Sequence, residues 1–413
     1  MSAPLTFDQR LDRLADIAVN VGLGLQKGQE VVMTAPVEAL DLSRRISRAA
    51  YRAGASLVTA ILGDEQQTVL RYRHADNSSF DMAPSWLFEG MASAYRNGAA
   101  RLAVVGDDPA LLADEDPEKV ARANRARSKA YSPALKLISD FAINWAIVAA
   151  ATPAWARAVF PDDSEPVALD KLWDAIFKAS RVDGPDPVAA WRDHNAALAR
   201  RTTMLNARRF HALRFTGPGA GLTVGLADGH EWAGGASTSR NGVVCNANIP
   251  TEEVFTTPHR LRVSGHVRAT KPLSYMGALI EDIAVRFEEG RIVEAHARKG
   301  QDVLQKVLET DEGARRLGEV ALVPFSSPIS QSGLLFYNTL FDENAASHIA
   351  LGQAYSKCFV GGDTLSESQL SAQGANRSLI HIDWMIGSGE TDVDGLDADG
   401  RATAVMRQGE FVI

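Results

Sequence analysis

A histidine and an aspartate stand two positions apart near the C-terminus, within Ser378-Leu379-Ile380-His381-Ile382-Asp383-Trp384-Met385-Ile386. The apolar residues around them make the run read as a mostly buried strand. Residues i and i+2 of a strand share a face, so the imidazole and the carboxylate project side by side from an apolar bed. Burying both is costly unless something pairs with them. A divalent metal ion is one such partner, because it binds neutral histidine and ionised aspartate together. A hydrogen-bonded His–Asp pair in the core is the other.

More candidates precede this run. Thr251-Glu252-Glu253 follows a strand ending at Ile249-Pro250, and Glu319 sits where a helix gives way to Val320-Ala321-Leu322-Val323. Asp342-Glu343-Asn344-Ala345-Ala346-Ser347-His348-Ile349-Ala350-Leu351-Gly352 places a histidine at the edge of an apolar run, with Tyr355 just beyond. Taken singly, each has an ordinary structural reading: a solvated glutamate, or a hydrogen-bonded core histidine. Pattern alone does not choose between Glu252 and Glu253. No HExxH, GxSxG or catalytic-cysteine signature competes for the chemistry. Gly217-Pro218-Gly219-Ala220-Gly221 leads into a strand and reads as a turn, not a phosphate cradle.

These residues need elements to position them, and 413 residues give room for two or three domains. The first half alternates helix and strand. Thr6-Phe7-Asp8-Gln9 has the form of a capping box, opening a helix expected to end by Gly28. Strands are expected at Glu30–Thr34, Ser56–Leu62, Ala100–Val105 and Asn144–Ala150. Helices are expected through Leu42 to Ala50, Trp86 to Tyr95 and Pro117 to Tyr131. That alternation implies a parallel sheet with right-handed crossovers. Its turns carry neither GxGxxG nor GxxxxGK[ST], so it reads as a scaffold. The second half changes texture to short strands, at His211–Phe215, Leu222–Leu226, Val243–Ile249, Ile283–Phe287 and Ile292–Ala297. One helix follows over about Gln301–Leu317, and the chain closes on strands Thr403–Met406 and Glu410–Ile413. The expected organisation is an α/β N-terminal domain with a mostly parallel sheet (1–187), then an α+β catalytic domain with largely antiparallel strands (188–413), entered by a linking helix over 188–207.

Bulk properties exclude several classes. Hydrophobic content of 46% and charged content of 23% are those of an ordinary globular protein. A net charge of −8, a pI near 5.7 and no basic cluster argue against nucleic acid as a partner. Two cysteines, Cys245 and Cys358, without a CxxC, leave no disulfide framework, zinc finger or iron–sulfur cluster. No run of 18 apolar residues predicts a membrane span, and the N-terminus lacks a basic-then-apolar leader, so a cytoplasmic protein is expected.

Asn248-Ile249-Pro250-Thr251-Glu252-Glu253-Val254-Phe255-Thr256-Thr257-Pro258 resembles the NxPTEEVFTxP signature of the aminopeptidase T / aminopeptidase S family of dinuclear metallopeptidases. The Asp342–Gly352 run is similar to a second block of that family and His381-Ile382-Asp383 to a third, in matching order across 210–413. The resemblance implies Glu253, Glu319, His348, His381 and Asp383 as metal ligands, and Glu319 and Tyr355 as catalytic side chains. It favours Glu253 over Glu252. It also implies two divalent ions per subunit, zinc, cobalt or manganese, about 3.5–4 Å apart. Three carboxylates and one hydroxide would balance their charge, with at least one carboxylate shared. The implied activity is removal of N-terminal residues from short peptides by a homodimer. Glu319 would take the proton from the attacking water, and Tyr355 would donate to the oxyanion. Two other readings stand beside it. The lack of an Arg/Lys cluster near the ligand blocks weighs against a phosphoester hydrolase, and the filled ligand and tyrosine positions weigh against an inactive family member.

Overall fold

The computed structural model describes residues 4–275, 278–362 and 364–413. The chain divides into two compact units, Met1–Asp193 with Ala236–Pro250, and His194–Gly235 with Thr251–Ile413.

The first unit is built on four parallel strands, β1 (Glu30–Pro36), β2 (Leu57–Gly63), β3 (Ala100–Val105) and β4 (Trp145–Ala149), in the order β2-β1-β3-β4. Thr6 and Gln9 form the expected reciprocal cap on α1 (Phe7–Ile17). That helix relaxes into a wider turn over Ala18–Leu23 and stops at Gly24, whose φ is 56°. A Cβ there would lie 2.0 Å from the Val244 carbonyl oxygen, so Gly24 and not Gly28 is the stop. α2 (Leu40–Ala53) ends at Gly54 with φ 99°. α3 (Glu65–His74), α4 (Ser85–Arg96), α5 (Pro117–Ser139), α6 (Pro153–Val159) and α7 (Glu165–Ala179) follow. α5 runs on past Tyr131, carrying Pro133 within it.

The segment expected as a strand over Val243–Ile249 is different in kind. Only Val244–Cys245 pairs, with Ser237–Thr238, and Asn248 then bridges in parallel to Ile147 of β4. Asn246 explains the break, because its N–H donates to Val21 and Gly22 carbonyls instead of to a ladder.

α8 (Pro187–Arg208) leads into the second unit. Its large sheet is antiparallel and has eight strands: β5 (Ala212–Gly217), β6 (Ala220–Leu226), β8 (Pro258–Arg268), β9 (Ala284–Glu288), β10 (Arg291–His296), β14 (Asp392–Leu396), β15 (Ala402–Arg407) and β16 (Glu410–Phe411), in the order β10-β9-β8-β6-β5-β14-β15-β16. A second antiparallel sheet has the order β13-β12-β11-β7, from β7 (Val254–Thr256), β11 (Leu317–Leu322), β12 (His348–Gly352) and β13 (His381–Met385). The helix expected over Gln301–Leu317 is shorter. α9 covers Gln301–Leu308, and a single 3₁₀ turn over Glu312–Arg315 then enters β11. Asp311 is the cause, since its carboxylate accepts from Ala314 N–H and starts the new turn.

Alternation along the small sheet divides its side chains. Val254, Val320, Leu322, Ile349, Leu351 and Trp384 join the apolar core of the unit, which also takes Phe215, Leu222, Val263, Phe287 and Val393 from the large sheet. The residues between them point the other way.

Candidate metal centre

On that other face lie Glu253 and Phe255, Glu319 and Ala321, His348, Ala350 and Gly352, and His381 and Asp383. Register brings them together across the strands. Glu319 stands opposite Ala350, Ala350 opposite Asp383, His348 opposite Ala321, and Gly352 opposite His381. The charged residues therefore face small ones, which leaves room between the carboxylates and imidazoles. Gly352 has φ 99°, and a Cβ there would lie 2.1 Å from the Ile380 carbonyl oxygen, so only glycine lets β12 approach the start of β13.

His348 Nε2 lies 3.2 Å from Glu253 Oε2, 3.5 Å from Glu319 Oε1 and 3.9 Å from Asp383 Oδ1. His381 Nε2 lies 3.5 Å from Asp383 Oδ1 and 3.8 Å from Glu319 Oε2. Two donor groups result, Glu253–Glu319–His348 and Glu319–His381–Asp383, each with its ligand atoms within 4.8 Å of one another. Glu319 belongs to both. Each imidazole is fixed through its other nitrogen: His348 Nδ1 is 3.2 Å from the Ala346 carbonyl oxygen, and His381 Nδ1 is 2.7 Å from that of Gln353. An N–H donated there leaves the Nε2 lone pair facing the carboxylates, the tautomer a metal requires.

Without a cation the cluster is electrostatically costly. Burial drives the Glu319 carboxyl upward, with Glu253 and Asp383 adding to it against the pull of His348 and His381. Burial also disfavours a charged His348, but hydrogen bonds to Glu253 and Glu319 outweigh it and hold the imidazole well above its ordinary value. His381 is pushed up to about 9, as Asp383 and Glu319 overcome burial. Asp383 falls below the usual carboxylate range, because the two imidazoles outweigh its desolvation. Glu253 Oε2 is buried, with His348 Nε2 at 3.2 Å. A cation held among these groups would take the place of such protons, and the donor set suits a borderline divalent ion.

Glu252, the other member of its pair, turns away, with Oε2 at 3.7 Å from His194 Nε2. Tyr355 follows β12, its ring 4.6 Å from the His381 ring and edge-on to Phe255 at 6.5 Å. Desolvation, then the charges of Glu319, Asp383, Glu343 and Glu253, push its phenol far above the ordinary value, so it remains a hydroxyl donor. Glu343 was not singled out from the sequence. Burial and the neighbouring Glu253 and Asp383 raise its carboxyl well above the ordinary value, yet it lies outside both donor groups. Its place five residues before His348 in an acidic block was the signal available.

The start of β13 is clamped from outside. Asp311 accepts from Ser378 Oγ at 2.8 Å and Leu379 N–H at 2.6 Å, besides capping its own turn. Gln353 N–H donates to the Ile380 carbonyl, and Ser378 N–H donates to Gln353 Oε1. Asp311→Ala removes three acceptor contacts on a partly exposed carboxylate, and should cost about 1–2 kcal/mol in thermal unfolding of the metal-free protein. An unchanged midpoint would show that the clamp carries no stability.

Against known proteins, residues 7–411 match the family model described as thermophilic metalloprotease (M29). The chain is similar to aminopeptidase T of Thermus thermophilus, 56% identical over 98% of this chain and 99% of the relative. It is 44% identical to aminopeptidase 2 of Geobacillus stearothermophilus over 98% of each. Among solved structures, wild-type AmpT from Thermus thermophilus superposes with a TM-score of 0.94 at 55% identity, covering 99% of this chain and all of that one.

Proposed function

Because the chain belongs to the thermophilic metalloprotease (M29) family and is a metal-dependent aminopeptidase, we propose that Glu253, Glu319, His348, His381 and Asp383 hold two divalent ions, with Glu319 shared between them. The observation that carries this is the pair of donor groups meeting at Glu319 on one sheet face. Zinc, cobalt and manganese all suit mixed imidazole and carboxylate donors. When bound, such ions polarise the scissile carbonyl and lower the pKa of a bound water.

The chain's own residues do the rest. The acidic surroundings suit the free α-ammonium of a peptide, which sets cleavage at the first peptide bond. Tyr355 donates its O–H to the developing oxyanion. Glu319 is taken up as a shared ligand in this scheme. We assign the proton of the attacking water to Glu343 in place of Glu319, because Glu343 stands among the same carboxylates yet outside both donor groups; it would return that proton to the leaving amine.

The test is metal depletion. Chelation should abolish hydrolysis of aminoacyl amides, and zinc, cobalt or manganese should restore it at two ions per chain. Full activity of a metal-free preparation would sink the assignment. Metal must displace the protons on His381 and His348, so uptake should release protons. Affinity should therefore rise with pH as the two imidazoles lose their protons.

The homodimer rests on the family resemblance, and a monomer in sedimentation at assay concentration would remove it. A cytoplasmic setting rests on two unbridged, buried cysteines, Cys245 and Cys358. Among the described residues no helix is long and apolar enough to cross a membrane.

A further inference from the structure

Lys357 lies on the 3₁₀ turn Ser356–Cys358, directly after Tyr355. Cys358 is buried and packs with Phe255 and Ala321, which anchors the turn beside the face that carries the acidic cluster. Lys357 Nζ sits 4.6 Å from the centroid of the Phe255 ring and 5.7 Å from that of Tyr355. The Tyr355 ring in turn lies 4.6 Å from the His381 ring. An ammonium resting on two aromatic rings is held in place by them.

The site that Lys357 borders is otherwise acidic, with Glu253, Glu319, Glu343 and Asp383 gathered around Tyr355. A free peptide carries charge of both signs. Its α-ammonium belongs at the end near the metal-centre residues, and its terminal carboxylate calls for a cation at the other. We propose that Lys357 receives the C-terminal carboxylate of short peptide substrates, so that the enzyme recognises both ends of its substrate. This rests on the metal-centre reading above, because it takes the scissile bond to lie at that cluster.

Length is compatible with the assignment. Ring contacts of 4.6 and 5.7 Å through Tyr355 link His381 to Nζ, so the path between them is short. An extended chain advances about 3.5 Å per residue. Two or three residues beyond the scissile bond are therefore enough to span the gap. An ammonium has three N–H donors, so it can take a carboxylate alongside a neighbour it already engages.

The contact is remote from the reacting atoms and equal in ground and transition states, so it belongs in KM. The experiment compares Leu-Gly-Gly with its C-terminal amide on the metal-loaded enzyme. Wild type should favour the free acid by about tenfold in kcat/KM, a charge-assisted contact at a partly exposed site. Lys357→Met should bring the acid-to-amide ratio close to one, and Lys357→Arg should keep most of it. The ratio is independent of how much of a variant folds. Equal losses on acid and amide in Lys357→Met would overturn the proposal, as would a wild-type ratio near one. If wild type stripped of metal cleaves both peptides as fast as the loaded enzyme, the metal-centre reading fails and takes this one with it. Cleavage of both with an unmoved ratio sinks the Lys357 assignment alone.

Discussion

Glu319→Gln should leave the enzyme without measurable aminopeptidase activity and with depleted metal. Glu319 is the one residue common to both donor groups, and its two oxygens face different imidazoles, Oε1 toward His348 and Oε2 toward His381. The amide keeps the size of the side chain and removes its charge and one acceptor oxygen, so either ion loses an anionic ligand. A loss of at least about 10³-fold in kcat is expected, since the ions these residues would hold would supply the ionisation of water at neutral pH. Glu343→Gln is the partner experiment. It should retain both ions and lose about 10²–10⁴-fold in kcat, the usual range for a positioned proton carrier. Metal analysis of the two proteins side by side separates the roles. Should Glu319→Gln keep both ions and lose only rate, Glu319 is the proton carrier and the assignment to Glu343 is wrong.

Tyr355→Phe should keep metal and lose rate. The ring that touches His381 and Phe255 is retained, so packing changes little, and only the hydroxyl goes. That hydroxyl stays protonated across the working pH range, because desolvation and four nearby carboxylates oppose its ionisation. A donor used mainly in the transition state lowers kcat and kcat/KM together, by about 10²–10³-fold. A fully metallated Tyr355→Phe enzyme with near-normal kcat would reduce Tyr355 to a packing residue. Loss of metal in that variant would place the phenol among the ligands.

Much of the architecture was legible because it rests on local period. The i, i+2 spacing of His381 and Asp383 predicts a shared face, and β13 shows one, with Ile382 and Trp384 turned into the core between them. The parallel sheet of the first unit was legible in its apolar runs and in Gly54 as a helix stop. What escaped depends on partners distant in sequence. The turn at Glu312–Arg315 interrupts a helical pattern because Asp311 binds Ala314, Ser378 and Leu379, and no window of sequence contains that reward. Val243–Ile249 carries strand-forming residues, yet Asn246 spends its N–H on Val21 and Gly22. α3 buries only Val69 and Tyr72 and offers little apolar stripe, whereas α7 carries one through Ala168, Leu172, Trp173, Ile176 and Phe177 that sequence reasoning passed over. Glu343 and Lys357 gave no pattern of their own, since their significance comes from electrostatic and aromatic neighbours.

The interleaving of ligands with core residues on β11, β12 and β13 fixes how this protein can change over generations. A one-residue slip in any of these strands would send its ligands into the apolar layer and its core residues into the site. Selection for a folded sheet therefore guards the metal donors, and no gradual drift of register can retune them. Tyr355 and Lys357 stand outside that constraint, on the turn after β12. Within that turn the two differ: Tyr355 is held by the chemistry it serves, and Lys357 leaves an open path by which the choice of peptides can be rewritten while the hydrolytic machinery is inherited.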